Sequence, residues 1–400
     1  MNGFFKSNGQ FTKKKAARWL IIGLLIAAFA VFTVQVNRTD KVQLVERAGQ
    51  TFEKGTVVEI LQDNLQPDGS RVGEQRVRVE MKTGERKGEI LEVTSSAGYL
   101  FGAGCTVGMD VVIMQSVAGD SVIASVYTQD REWVIYIFAA LYILALCLVG
   151  GKQGVKGSIG LIFTFFCVIV VYIPLVYRGV SPFWAAVFVC MITTIVTMYL
   201  IGGASMKTVV AIGGTMAGVL IAGISAQLFS LASGITGYNV SDIETLMTLW
   251  NTNGINVGGL LFSGLLISSL GAVMDVAMSV SSSMSEILRQ NPRLTRRELW
   301  KAGIQVGRDM MGTDSNTLIL AFAGSSVSML LLDYAYDLPY RQIINSNNIG
   351  ISIMQGLAGS FGIVLAVPFT VLMASILYKV PWRKKEQQAV QQQMTESAED

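Results

Sequence analysis

The sequence predicts an α-helical polytopic membrane protein of about eight transmembrane helices, with an inserted extracytoplasmic all-β domain. Three observations carry this prediction. The chain of 400 residues is 51% hydrophobic and 15% charged, with a mean hydropathy of +0.49; soluble globular domains carry about 25% charged residues. Apolar runs long enough to cross a hydrocarbon core of about 30 Å recur along the chain. Between the first two of them lies a stretch whose hydrophobic pattern has the period of a strand.

Taken in order, residues 1–36 read as a basic cytoplasmic segment followed by an anchor helix. Lys13, Lys14, Lys15 and Arg18 precede an apolar run from Trp19 to Val36. A cleaved signal peptide, the alternative, has a shorter apolar region and an A-x-A-like site, and neither fits well. Residues 37–132 then change character. In QRVRVEMK, Val77, Val79 and Met81 face one way and Arg76, Arg78, Glu80 and Lys82 the other. TGE at 83–85 and AGD at 118–120 break further β-rich runs. A small barrel or sandwich on the outer face is expected, serving as a structural or docking module.

Residues 133–380 predict seven more spans, at about 133–150, 158–176, 182–201, 208–232, 254–278, 310–332 and 349–378. Loops placed inside carry Lys152 and Lys156, Lys207, then Arg289 to Lys301, while Asp242, Glu244, Asp333 and Asp337 fall outside. The positive-inside rule then puts both termini in the cytoplasm of a multi-pass plasma-membrane protein. Ser181-Pro182, Ser241-x-x-Glu244 and Thr295-x-x-Glu298 are helix-start signals, the last two predicting short surface helices at DIETLMTLW and RRELWKAG. Residues 381–400 form a polar tail expected to be disordered.

Composition also excludes chemistry. The chain has no histidine, which removes histidine-based catalytic triads, histidine-ligated metals and histidine proton relays. Cys147, Cys167 and Cys190 lie in apolar spans and Cys105 stands alone outside them, with no CxxC. No phosphate-binding glycine motif occurs. No cofactor, metal centre, catalytic residue or nucleic-acid partner is expected. Gly214, Gly218, Ala222 and Ala226 recur every fourth residue, and Gly254 and Gly258 repeat the spacing, as helix-packing stripes do.

Two polar constellations remain. In GAVMDVAMSVSSSMSEI (271–287), Asp275, Ser279, Ser282 and Glu286 fall on one helix face. An ionised aspartate at bilayer depth costs about 2.5–3.5 kcal/mol, so this stripe should face other helices, a cavity or the cytoplasm. In GRDMMGTDSNTLILAFAG (307–324), Asp309, Thr313 and Asn316 share a face, with Asp314 and Thr317 to the side. Gly307 and Gly312 bracket the aspartate and weaken the helix, as in broken transporter helices. The two faces are expected to confront one another and bind a small solute or ion. Arg308 or the 289–297 arginines would serve as charge partners, which also admits a plain interfacial reading of both aspartates.

These two motifs, with GVKGSIGLIFT (154–164), resemble the YibE/F-like family of bacterial multi-spanning membrane proteins over roughly residues 135–375. The β stretch before the helices resembles the YibE-type arrangement. The resemblance implies a Gram-positive-type plasma-membrane protein of permease-like description, and it names no substrate. Three functions stay open. One is a permease or secondary transporter using the Asp275 and Asp309 motifs. Another is a non-transporting envelope assembly protein whose β domain docks a partner. The third is an intramembrane aspartyl hydrolase, for which the GxGD signature is missing, because the sequence has Gly307-Arg308-Asp309.

Overall fold

A computed structural model describes residues 23–24, 26–38, 49–96, 102–118, 121–240 and 243–378. The basic N-terminus, the AGD turn beyond Ala118, Ser241 and the C-terminal tail lie outside the described residues. The chain divides into one unit of residues 41–149 and another of residues 1–40 and 150–400.

The first unit is built on a closed five-stranded barrel: β1 (Gln50–Gln62), β2 (Gln75–Met81), β3 (Ile90–Ser95), β4 (Asp110–Ala118) and β5 (Ser121–Gln129). The strands close in the order β1-β2-β3-β5-β4, with β3 and β5 parallel and every other pair antiparallel. This is the connectivity of an OB-type Greek-key barrel. Val77, Val79 and Met81 point inward and Arg76, Arg78 and Glu80 outward, following the alternation in the sequence. With Val57, Val93, Val111, Ile113 and Val126 they fill the interior. Buried Gln75 exchanges hydrogen bonds with the Cys105 backbone: its Nε2 donates to the carbonyl at 3.0 Å, and its Oε1 accepts from the amide at 2.8 Å.

Strand register fixes which loops share an end of this barrel. Gly55 lies opposite Met81 and Val111, and Val111 opposite Gln129, so the 82–89 turn sits at the end where β5 leaves. Gln62 pairs with Arg76, placing the 63–74 loop at the other end. At the exit, Asp130 Oδ1 accepts from the Glu132 amide at 3.0 Å and so caps helix α2 (Glu132–Phe166). Lys54 Nζ lies 3.0 Å from Asp130 Oδ2 and also pairs with Glu132.

α2 continues past a break at Gly151, where φ is 51° and ψ −130°, a conformation open to glycine. In the second unit it passes into a π-helical turn (Cys167–Tyr172) and then α3 (Ile173–Tyr177). An earlier short helix, α1 (Ile26–Asn37), ends beside them. Asn37 Nδ2 donates to the Val170 carbonyl at 2.8 Å, and Arg178 donates to the carbonyls of Gln35 and Arg38, capping the negative end of α1.

The bundle is completed by α4 (Pro182–Gly202), α5 (Met206–Ser233), α6 (Ile243–Asn253), α7 (Gly258–Gln290), α8 (Arg296–Ser325), α9 (Val327–Ala335), α10 (Tyr340–Ile344) and α11 (Asn347–Leu377). Among the described residues, five helical runs are long and apolar enough to cross a membrane. They are 132–177 as one run, then α4, α5, α7 and α11. α8 and α9 make a sixth if counted together, since 54° of bend separates them. The sequence analysis divides the 132–177 run into two spans, 133–150 and 158–176, and gives 310–332 as a single span. The break falls at Ser325–Ser326, where both hydroxyls bond back to the Phe322 carbonyl and Ser326 Oγ meets Ser352 Oγ of α11 at 2.7 Å.

The core lies where α5, α7 and α11 cross. Gly218 is the pivot: a Cβ there would sit 2.6 Å from Val273 Cγ1 and 2.8 Å from both Ala366 Cβ and the Gly362 carbonyl oxygen. Gly214 packs on Thr370 in the same way. The Gly254 and Gly258 pair works differently, because Gly254 (φ 66°) lies just past the end of α6 and Gly258 opens α7. The Thr295–Glu298 capping box is formed, but it starts the 30-residue α8 rather than a short surface helix. Gly307 and Gly312 do not interrupt α8, and the roles of Gly303 and Gly307 are in packing. They let it close onto Met284 and Val371, and onto Val367.

Candidate functional site

α7 packs against α4, α5, α8 and α11, and most of its circumference is buried. One stripe stays open: Gly264, Ser268, Gly271 and Asp275 are exposed, and Ser279 and Ser282 are half-buried below them. These positions recur at three- and four-residue steps, so they form a continuous line of small and polar groups. Glu286 ends the line, exposed, with Arg289 at 2.9 and 2.7 Å and Gln290 at 3.1 Å engaging its carboxylate.

Asp314 of α8, half-buried, lies near enough to Asp275 for the two charges to interact. Neither has an ion-pair partner among the described residues. Asp314 shares the packed side of α8 with Gly303, Gly307 and Leu318. Asp309, Thr313 and Asn316 occupy the opposite, exposed side, so the structure does not bring Asp309 to Asp275. Thr317 lies between the two sides, and its hydroxyl bonds to the Thr313 carbonyl at 3.0 Å. Arg308 is exposed and has no ion pair among the described residues.

Two carboxyls without an ion pair among the described residues, with the Ser279 and Ser282 hydroxyls on the following turns of α7, form a line of oxygen donors. No group of three or more acids or cysteines able to hold a metal ion occurs among the described residues.

A family model described as YibE/F-like protein matches residues 138–380. The chain belongs to the YibE/F-like family. No curated protein and no solved structure matches the chain. The YibE/F-like region takes in α4 to α11, hence Asp275 and Asp314, whereas the barrel strands lie before it.

Within the YibE/F-like region the structure also singles out residues that sequence spacing passed over. Ser281 belongs to the same serine run as Ser279 and Ser282 but points to the opposite side of α7. Its Oγ donates to the Lys207 carbonyl at 2.6 Å and meets the Tyr378 hydroxyl at 2.6 Å, and that hydroxyl lies 2.9 Å from the Ser281 carbonyl. One serine thereby ties together α5, α7 and the end of α11. Its offset from the Asp275–Ser282 line is the signal that sets it apart. Tyr172, at the end of the π-helical turn, likewise bonds Ser263 of α7. π-helical turns are frequent at functional positions, though nothing in the sequence pattern announces one.

Proposed function

We propose that this chain is a plasma-membrane permease or secondary transporter in which Asp275 and Asp314 hold the coupling proton or monovalent cation. The observation that carries the reading is the exposed polar stripe on α7, an otherwise enclosed helix, with Asp314 in electrostatic range of Asp275 and neither ion-paired among the described residues. Ser279 and Ser282 extend the lining. Asp309, Thr313 and Asn316 stand outside this pair.

Eight spans with both termini cytoplasmic and the barrel extracytoplasmic accompany the proposal. The run 132–177 has 46 residues, about 69 Å of helix at 1.5 Å per residue, or roughly two hydrocarbon thicknesses meeting at Gly151. Adding α1, α4, α5, α7, the α8–α9 pair and α11 completes the count.

Thermal unfolding of the purified full chain across pH and a panel of monovalent cations tests the site, since a ligand of the folded state raises stability by mass action. A specific shift that Asp275→Asn and Asp314→Asn erase, and that Asp309→Asn keeps, is the expected result. A flat panel with merely destabilised variants would sink the transport reading. It would favour the second one, an envelope assembly protein, which draws its support from a complete barrel lying outside the family-matched region.

A further inference from the structure

We propose that Asp333, in the last turn of α9, holds a monovalent metal cation of the sodium class, at a site separate from the Asp275–Asp314 pair. α9 buries its acid and exposes its leucines: Leu330, Leu331 and Leu332 lie outside, and Asp333 is the helix's one buried residue. Asp333 is 6% exposed, and its Oδ2 is fully enclosed with no hydrogen-bond partner. A buried carboxylate is ordinarily paired or bound to a metal. No lysine or arginine pairs with this one among the described residues. Arg341, the nearest cation in sequence, is exposed and makes no ion pair among them either.

The end of α9 surrounds this carboxylate with negative potential. The helix closes in a Schellman motif: the Asp337 amide donates to the Tyr334 carbonyl at 3.0 Å, and the Leu338 amide to the Asp333 carbonyl at 3.1 Å. Glycine usually fills the left-handed position of that motif. Here it is Asp337, at φ 51°, the one non-glycine residue with positive φ among the described residues. Pro339 has no amide to offer the Ala335 carbonyl, and neither that carbonyl nor the one of Tyr336 accepts a hydrogen bond among the described residues. A helix C-terminus carries about half a negative charge, and two acids there add to it.

Charge and ligand type select the ion. One enclosed carboxylate balances one unit of charge. No group of three acids or cysteines, as a multi-carboxylate divalent site would use, occurs among the described residues. Carboxylate and carbonyl oxygens are hard ligands, which excludes the soft thiophilic metals. α9 is also the second half of the bent α8–α9 pair. The C-terminal ends of such half-helices coordinate small cations in membrane transporters.

Thermal unfolding of the purified full chain in sodium chloride against choline chloride, at one ionic strength, tests the site. An Asp275→Asn, Asp314→Asn background keeps any sodium response of that pair out of the measurement. The midpoint should climb by a constant step for each tenfold rise in sodium beyond the dissociation constant. Asp333→Asn should abolish the climb and be no less stable than its parent in choline, because an amide needs no counter-charge. Asp337→Gly, which suits the left-handed backbone better, should keep the fold and need roughly two- to fivefold more sodium. Hydrogen exchange at the Asp337 and Leu338 amides of the unsubstituted chain gives a local reading, with protection rising in sodium. The proposal is overturned by a background chain and local amides that both ignore sodium, a result that leaves the Asp275–Asp314 reading untouched. It is equally overturned by a climb that Asp333→Asn keeps. Equal destabilisation by Arg341→Gln and Asp333→Asn in both salts would also overturn it, since Arg341 would then be the partner.

Discussion

Replacing Gly218 by alanine adds one methyl group at the point where α5, α7 and α11 meet. The new Cβ would sit 2.6 Å from Val273 Cγ1 and 2.8 Å from Ala366 Cβ and the Gly362 carbonyl oxygen. Ordinary contacts at such atoms begin near 3.4 Å. A side-chain tip can swing aside, but a backbone oxygen moves only with its helix, so α11 must retreat from α5. Overpacking of this kind costs about 1–3 kcal/mol, and three simultaneous contacts put Gly218→Ala at the upper end. Alanine returns about 1 kcal/mol of helix propensity, leaving a net loss of about 2 kcal/mol. Gly264 on α7 is the internal standard, because a Cβ there meets nothing within 4 Å. Gly264→Ala keeps the propensity gain, so the two variants should differ by about 3 kcal/mol. Unfolding of the purified full chain by denaturant titration measures both. If Gly218→Ala is as stable as Gly264→Ala, the close α5–α11 crossing is wrong, and with it the placement of α7 between them.

Two further outcomes follow from other parts of the molecule. Tyr378→Phe keeps the ring but removes both hydrogen bonds to Ser281, and should lower stability by about 1–2 kcal/mol. Adding Ser281→Ala on top should cost less than the two separate losses combined, which a double-mutant cycle reads directly. In the barrel, hydrogen bonds from Lys82 and Thr56 hold the Asp110 carboxyl below the usual carboxylate range. A folded-state value below the unfolded one contributes stability above the ordinary range near about 4, and loses it as pH falls through the depressed value. Asp110→Asn should therefore weaken hydrogen-exchange protection of β1 and β4 amides at neutral pH, and match wild type by about pH 2. A constant difference across that range would refute the assignment.

Much of the fold was legible because it depends on local periodicity. The alternation of Val77, Val79 and Met81 is a property of one strand, and the four-residue spacing of Gly214 and Gly218 a property of one helix; both meet the neighbours their patterns imply. The candidate site was legible only as stripes. Spacing places Asp309 with Thr313 and Asn316, but it does not say which side of α8 faces α7. That phase is set by Gly303 and Gly307 closing on Met284, Val371 and Val367, contacts between residues far apart in the chain. Gly307, together with Gly312, reads as helix weakness in the sequence because a missing side chain has two meanings, loss of propensity and room for a neighbour. The break at Ser325–Ser326 escaped for a related reason. It depends on hydroxyls bonding the Phe322 carbonyl and on Ser352 across the bundle, and serine in an apolar run carries no mark of that use.

The junction between the barrel and α2 has a mechanical consequence. Only Asp130 and Arg131 separate β5 from α2, and Lys54 pins the joint from β1. Such a connection has almost no slack, so the barrel is a handle on the helix and not a bead on a tether. Its 63–74 loop lies at the opposite end, one strand length from the joint. Seven residues of β2 make an arm of roughly 23 Å at 3.3 Å per residue. A load taken up at that loop reaches α2 as torque about its first turn, where Trp133 and Tyr136 stack edge to face.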